Sequence, residues 1–215
     1  MKETVVLVHG MLMTGKVMAF LARRLRRCGF RTAVFDYPSR HRPLRDNARQ
    51  LARFAGQLGA QRVHLVGHSM GGMLILHALQ QDPPMPAGRV VLLGSPVRGS
   101  RVAQRLYSRA PGRWLLGASA EAGLLEALPE HRYGREIGVI AGDLPVGVGY
   151  VLGGMGAQHD GTVAVEETRL EQATDTLLLH VSHSTMLLST QVAGQVCNFL
   201  QQGRFSLSPP VAGRL

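Results

Sequence analysis

Ser69 stands in Gly67-His68-Ser69-Met70-Gly71, a G-x-S-x-G pentad between the apolar run Val63 to Val66 and the helix-period stretch Met73 to Gln80. A serine between a buried strand and a helix, with glycines on both sides, sits where acyl chemistry would put a nucleophile. A turn that sharp imposes a strained backbone, and Gly67, Gly71 and Gly72 remove the side chains that would collide with it. The hydroxyl would then stand above the sheet, over the positive end of the following helix. A simple helix N-cap is the plainer alternative, but it needs neither the glycines nor the strand.

A hydroxyl is a poor nucleophile until a base takes its proton. His183, in "LLLHVSHSTMLLS", lies just past the run Thr176 to Val181, where its ring can lean over the sheet. His180 falls inside that run, His68 is turned away by the geometry of the pentad, and His9 ends the first apolar run. These three read as structural. The base in turn needs a carboxylate to hold its tautomer and balance its charge. Asp160, in "QHDGTVAVEET", is the candidate, because Asp-Gly followed by Thr-Val sets a tight turn that can aim the carboxylate. Asp143, ending the run Ile137 to Ala141 in "VIAGDLP", is the alternative, with a turn or helix-capping role as its plainer reading. An oxyanion needs two donors. The backbone N–H of Met70 would supply one, and that of Met11, after His9-Gly10 in "VLVHGM", the other.

These residues need a scaffold, and the periodicity supplies one. Val5 to Val8, Thr32 to Phe35, Val63 to Val66, Val90 to Leu93, Ile137 to Ala141 and Thr176 to Val181 read as strands. Helical spacing covers Thr14 to Cys28, Asp46 to Leu58, Met73 to Gln80 and Thr190 to Leu200. Strand and helix in alternation imply βαβ crossovers and a mostly parallel central sheet with helices on both faces. Such sheets carry their sites at the carboxyl ends of the strands, where each residue named above falls. Residues 1–204 read as one domain, and 205–215 as a flexible tail. The long connection 98–135, with helical pieces at Val102 to Ser108 and Ala120 to Leu128, is the candidate small cap.

"VVLVHGM", "FDYPSR", "VHLVGHSMGG", "LLGSPVRGS", "HDGTV" and "HSTMLLS" occur in an order that resembles the α/β-hydrolase superfamily, nearest its compact serine esterases and lipases. The resemblance implies the α/β-hydrolase fold, with Ser69 as nucleophile and Asp160 and His183 as its triad partners. It also implies Met11 and Met70 as oxyanion donors, an acyl-enzyme, and neither metal nor cofactor. A carboxylesterase on short or medium acyl chains is the first expectation; a lipase, thioesterase, amidase or acyltransferase would use the same residues. Leu12, Trp114, Met155 and Met186 are candidates for the wall of an apolar acyl pocket, and each could equally be core. The chain departs from the HGGG form of the oxyanion loop, which disfavours substrates needing that wider loop. Its expected lack of a long inserted lid and of a secretion signal argues against a secreted, interface-activated lipase. The glycine-rich "PVGVGYVLGGMG" has no lysine and no G-K-[ST] ending, so it reads as a loop bringing Asp160 into place rather than a phosphate cradle.

Composition bounds the rest. The net charge of +10 is almost wholly arginine, and aromatic residues make up 5%. Scattered arginines without a stacking platform exclude a nucleic-acid partner and favour a solvated surface. Together with Trp114-Leu115-Leu116 they leave room for a weak peripheral contact with an anionic bilayer, the remaining role for a non-enzymatic binding module. The first apolar run is too short for a signal segment, no stretch is long enough to span a membrane, and a cytoplasmic location is the expectation. Cys28 and Cys197 each fall on an apolar helix stripe and read as buried free thiols, with a bond between them if those helices adjoin.

Overall fold

The computed structural model describes residues 3–81, 85–117, 124–125, 127, 133–147 and 158–206. Six strands form its sheet: β1 (Thr4–Val8), β2 (Arg31–Phe35), β3 (Val63–His68), β4 (Val90–Leu93), β5 (Ile137–Gly142) and β6 (Asp175–Leu179). Their order is β2-β1-β3-β4-β5-β6 and every pairing is parallel. Because β2 lies on one side of β1 and β3 on the other, the chain changes direction between β1 and β3. In open parallel sheets that change opens a crevice at the carboxyl ends of the strands.

Both faces of the sheet are covered, so the inner strands are apolar along their length rather than alternating. On β1, Val6 and Val8 pack with Leu44, Leu51, Met73 and Leu74 on one face. Val5 and Leu7 pack with Leu21, Leu25, Val196 and Phe199 on the other. The first layer comes from α2 (Leu44–Gln57) and α3 (Met70–Ala78), the second from α1 (Ala19–Arg27) and α6 (Thr190–Gln202). Two shorter helices, α4 (Arg101–Tyr107) and α5 (Ala110–Leu116), follow β4.

Several boundaries differ from the sequence reading. The stretch from Thr14 opens as a short 3-10 turn, Gly15–Met18, before α1 begins. Strand β3 runs on to His68 and α3 starts at Met70, so Ser69 alone makes the turn. Strand β6 stops at Leu179, which leaves His180 outside it. Helix α5 had no counterpart in the sequence reading. Most of the piece expected over Ala120 to Leu128 lies outside the described residues, as do most of the glycine-rich loop and the end of the tail from residue 207 on.

The cysteines are a correction. They are not free thiols: Cys28 at the end of α1 and Cys197 in α6 are joined by a disulfide, with Cα atoms 6.3 Å apart. Both helices pack on the same sheet face, which is why two distant stripes could meet. In the chain-entropy account, a closed loop spanning a separation of 169 residues stabilises the fold by at most roughly 5 kcal/mol.

Candidate active site

Ser69 has φ 54° and ψ −126°, a backbone conformation that side chains rarely adopt. Such a residue costs about 1–3 kcal/mol and persists only where its surroundings hold it. Here its N–H donates to the Leu93 carbonyl at 2.8 Å, and its own carbonyl accepts from the Gly72 N–H at 3.0 Å. The glycines are needed for close approach. A Cβ on Gly67 would lie 2.6 Å from the Gly72 backbone, and one on Gly71 would collide with the Val8 carbonyl. Helix α3 is buried along nearly all its length, because it threads between sheet and α2 with its first turn at the crevice.

Asp160 and His183, far apart in sequence, meet at the carboxyl ends of β5 and β6. The His183 Nδ1 lies 2.7 Å from Asp160 Oδ2, and the His183 N–H donates to the Asp160 carbonyl at 2.8 Å. Both side chains are buried. The other carboxylate oxygen accepts from the N–H groups of Thr162 at 2.9 Å and Val163 at 2.7 Å, so the tight Asp-Gly-Thr-Val turn aims it. A carboxylate facing Nδ1 puts the proton on that nitrogen and leaves the Nε2 lone pair available. Gly94, with φ +53°, sits against the Asp160–His183 pair. It follows Leu93, which holds Ser69, and a Cβ on it would lie 3.0 Å from Asp160 Oδ2 and 3.2 Å from His183 Nδ1. Ser69 Oγ makes no hydrogen bond to His183 among the described residues, and such bonds commonly tighten only when substrate binds.

Asp143, the alternative acid, is instead 2.9 Å from the Nδ1 of His180, outside the buried pair. His180 was expected inside a strand against the helices; it lies beyond the end of β6 with its side chain 74% exposed.

His68 is closer to the chemistry than the sequence suggested. Its Nε2–H donates to the His183 carbonyl at 2.9 Å, and the two rings stand 4.6 Å apart. Burial, reinforced by the neighbouring His183, pushes His68 down to about 3, so it is a neutral imidazole at pH 7. The unfolded chain can take a proton there near pH 6.5, whereas the folded one cannot until about pH 3. Stability from this group is therefore complete above the unfolded value and falls as pH drops through that window. Denaturant midpoints measured from pH 7 to pH 4 are expected to fall less steeply for His68→Asn than for the parent; equal slopes would refute the assignment.

The loop after β1 is fixed by residues of "FDYPSR" to which the sequence reading had given no role. Asp36 Oδ1 is 2.8 Å from His9 Nε2 and accepts the Gly15 N–H at 3.1 Å. Tyr37 donates its hydroxyl to the His9 carbonyl at 3.0 Å and stacks on the His9 ring. Ser39 Oγ accepts the Leu12 N–H at 3.1 Å and thereby holds Leu12 at φ 58°. With the Leu12 N–H engaged, the Met11 N–H has no partner among the described residues. The Met70 N–H, in the first turn of α3, has no carbonyl behind it in the helix. The motif's position beside β1 was the signal, since β2 is β1's neighbour.

The proposed pocket wall does not assemble. Met186 is fully buried in the layer beneath the sheet, where its Sδ-methyl approaches Gly142, so it is core. Trp114 is 70% exposed at the end of α5, and Leu12 is 55% exposed in the loop after β1. Met155 lies outside the described residues. A cavity of about 530 Å³ opens at the opposite end of the strands, lined in part by Arg62, Arg89 and Arg135. Arg135 donates there to the carbonyls of Val63, Met85, Pro86 and Gly88, so it ties backbone together.

Comparison with known proteins agrees with this architecture. The Bacillus licheniformis lipase BlEst2 in mature form superposes with a TM-score of 0.72 at 22% identity, over 94% of this chain and 92% of that one. The metagenomic carboxyl esterase MGS0156 gives 0.67 at 20% identity, over 84% of this chain and 64% of that one. MGS-MChE2, an α/β-hydrolase enzyme from a sediment metagenome of the Mar Chica lagoon in Morocco, gives 0.63 at 19% identity, over 91% and 89%. Among curated protein sequences none matches the chain. Residues 5–195 match the sequence profile described as the Alpha/beta hydrolase family, and the chain therefore belongs to that family.

Proposed function

We propose that the protein is a serine carboxylesterase that cleaves short- to medium-chain carboxylic esters through an acyl-enzyme on Ser69. The observation that carries this reading is the buried Asp160–His183 pair at the same end of the sheet as the positive-φ serine that follows β3. In the first half-reaction His183 Nε2 takes the Ser69 proton as Oγ bonds to the ester carbon. The carbonyl oxygen becomes an oxyanion facing the N–H groups of Met11 and Met70. Collapse breaks the bond to the leaving alkoxide, and His183 returns the proton to it. Water then replaces the alcohol and the same steps run in reverse order, releasing the acid and restoring Ser69. Asp160 stays ionised and stabilises the imidazolium. Residues 98–135 form a small cap beside this centre in our reading, and the domain extends over 1–204.

The lipase and esterase names of the structural neighbours support an ester substrate over an amide. No helix among the described residues is long and apolar enough to cross a membrane. The cytoplasmic location expected from sequence and the Cys28–Cys197 bond pull in opposite directions, because cytosolic thiols are kept reduced. The bond favours an oxidising compartment.

A fluorophosphonate probe and a series of p-nitrophenyl esters of increasing acyl length test the proposal. Stoichiometric labelling of Ser69, with turnover greatest at short or medium chains, is expected. Folded protein that neither labels nor turns over any ester would overturn it.

A further inference from the structure

We infer that the tip of α5 is a docking surface for an anionic lipid bilayer. Between Asp82 and Glu121 the sequence holds no acidic residue, while Arg98, Arg101, Arg105, Arg109 and Arg113 recur at three- and four-residue steps. The first two are neutralised in the fold, Arg98 by Glu171 at 3.0 Å and Arg101 by Glu166. Arg109 and Arg113, before and within α5, are exposed and pair with no acidic side chain among the described residues. At that end Trp114 and Leu115 are turned outward, 70% and 37% exposed, on a helix whose Leu116 is buried.

The tip is built rather than loose. Arg40 lays its guanidinium over the Trp114 ring at 3.9 Å from the centroid, and its Nε–H donates to the Trp114 carbonyl at 3.1 Å. The indole is thereby held by one face and presents the other to solvent. An apolar indole and a leucine ringed by arginines match a bilayer interface. The indole can enter at headgroup depth while the guanidinium groups pair with lipid phosphates. Bases would need a row of aromatic platforms, and Trp114 is the chain's single tryptophan. The chain Trp114–Arg40–Ser39–Leu12 joins this tip to the loop after β1, so docking would set the crevice against the lipid.

Because Trp114 is the sole tryptophan, its emission reports on the tip directly. The Ser69→Ala protein, mixed with phosphatidylcholine vesicles with or without phosphatidylglycerol, separates docking from ester cleavage. Blue-shifted emission and co-sedimentation are expected with the anionic vesicles only, weakening with salt. Each charge removed should cost about fivefold in partitioning, so Arg109→Glu with Arg113→Glu should lose about 25-fold or more. Arg23→Glu with Arg27→Glu, on the distant α1, should bind as the parent does. Equal binding to neutral vesicles, or equal loss in the α1 variant, would overturn the proposal. So would sedimentation without a spectral shift, a blue shift that grows with protein concentration in the absence of lipid (a second copy covering the tip), or equal binding of a DNA duplex.

Discussion

Ser69→Ala is expected to lower turnover of a p-nitrophenyl ester by roughly 10⁴- to 10⁶-fold, because the group that forms the covalent bond is gone. The fold should not suffer. Ser69 Oγ takes part in no hydrogen bond among the described residues, so the hydroxyl contributes nothing to stability that alanine loses. Thermal melts of the two proteins should therefore superpose. Ser69→Gly sharpens the test. It should be equally inactive yet more stable, by up to about 1 kcal/mol or somewhat more, since glycine adopts the positive φ without strain. An alanine variant retaining a tenth of the activity would mean that another residue is the nucleophile. A glycine variant less stable than the parent would mean that the strain is not local to Ser69.

Asp160→Asn should cost about 10⁴-fold in kcat with KM little changed. The reason lies in the two backbone N–H groups of Thr162 and Val163, which already point at Oδ1. An asparagine there would turn its carbonyl oxygen towards them and its NH₂ towards His183 Nδ1. Nδ1 would have to accept that hydrogen bond, which places the ring's own proton on Nε2, where it can no longer take one from serine. Geometry would survive while the tautomer is wrong. Asp143→Asn, whose side chain pairs with exposed His180 outside the buried pair, should leave kcat within about twofold. A large loss at Asp143 and none at Asp160 would reverse the assignment of the acid.

Much of this arrangement was legible in the chain because buried parallel strands advertise themselves. "TVVLV", "VHLVGH" and "VVLL" are apolar without alternation, which a strand covered on both faces requires and a half-exposed one forbids. The inner strands and their parallel pairing follow from that pattern, whereas the edge strands β2 and β6 are partly exposed. The pentad around Ser69 was legible for a different reason: glycines flanking a serine on both sides at a strand-to-helix turn mark a strained turn with backbone packed too closely for side chains. The misreadings share one cause. Sequence spacing gives the face of an element but not where the element stops or what lies across from it. His180 was put inside β6 because the apolar run continues to Val181, whereas pairing with β5 ends at Leu179. Met186 was named as either pocket wall or core, and in the 3-10 turn Thr185–Leu188 it is core. Helix α5 was missed because "APGRWLL" holds proline and glycine and presents its tryptophan to water, against the usual apolar stripe. The role of His68 was invisible for want of a partner, since the carbonyl it serves is 115 residues away.

The bond between Cys28 and Cys197 makes most of the chain a covalent ring with two short arms. A proteinase that cuts any single peptide bond inside that ring releases nothing: the pieces stay tethered, and the nick appears only on a reducing gel. Local damage to the loops that join the strands is thereby uncoupled from loss of the parts they join. Two cuts are needed before a fragment can diffuse away.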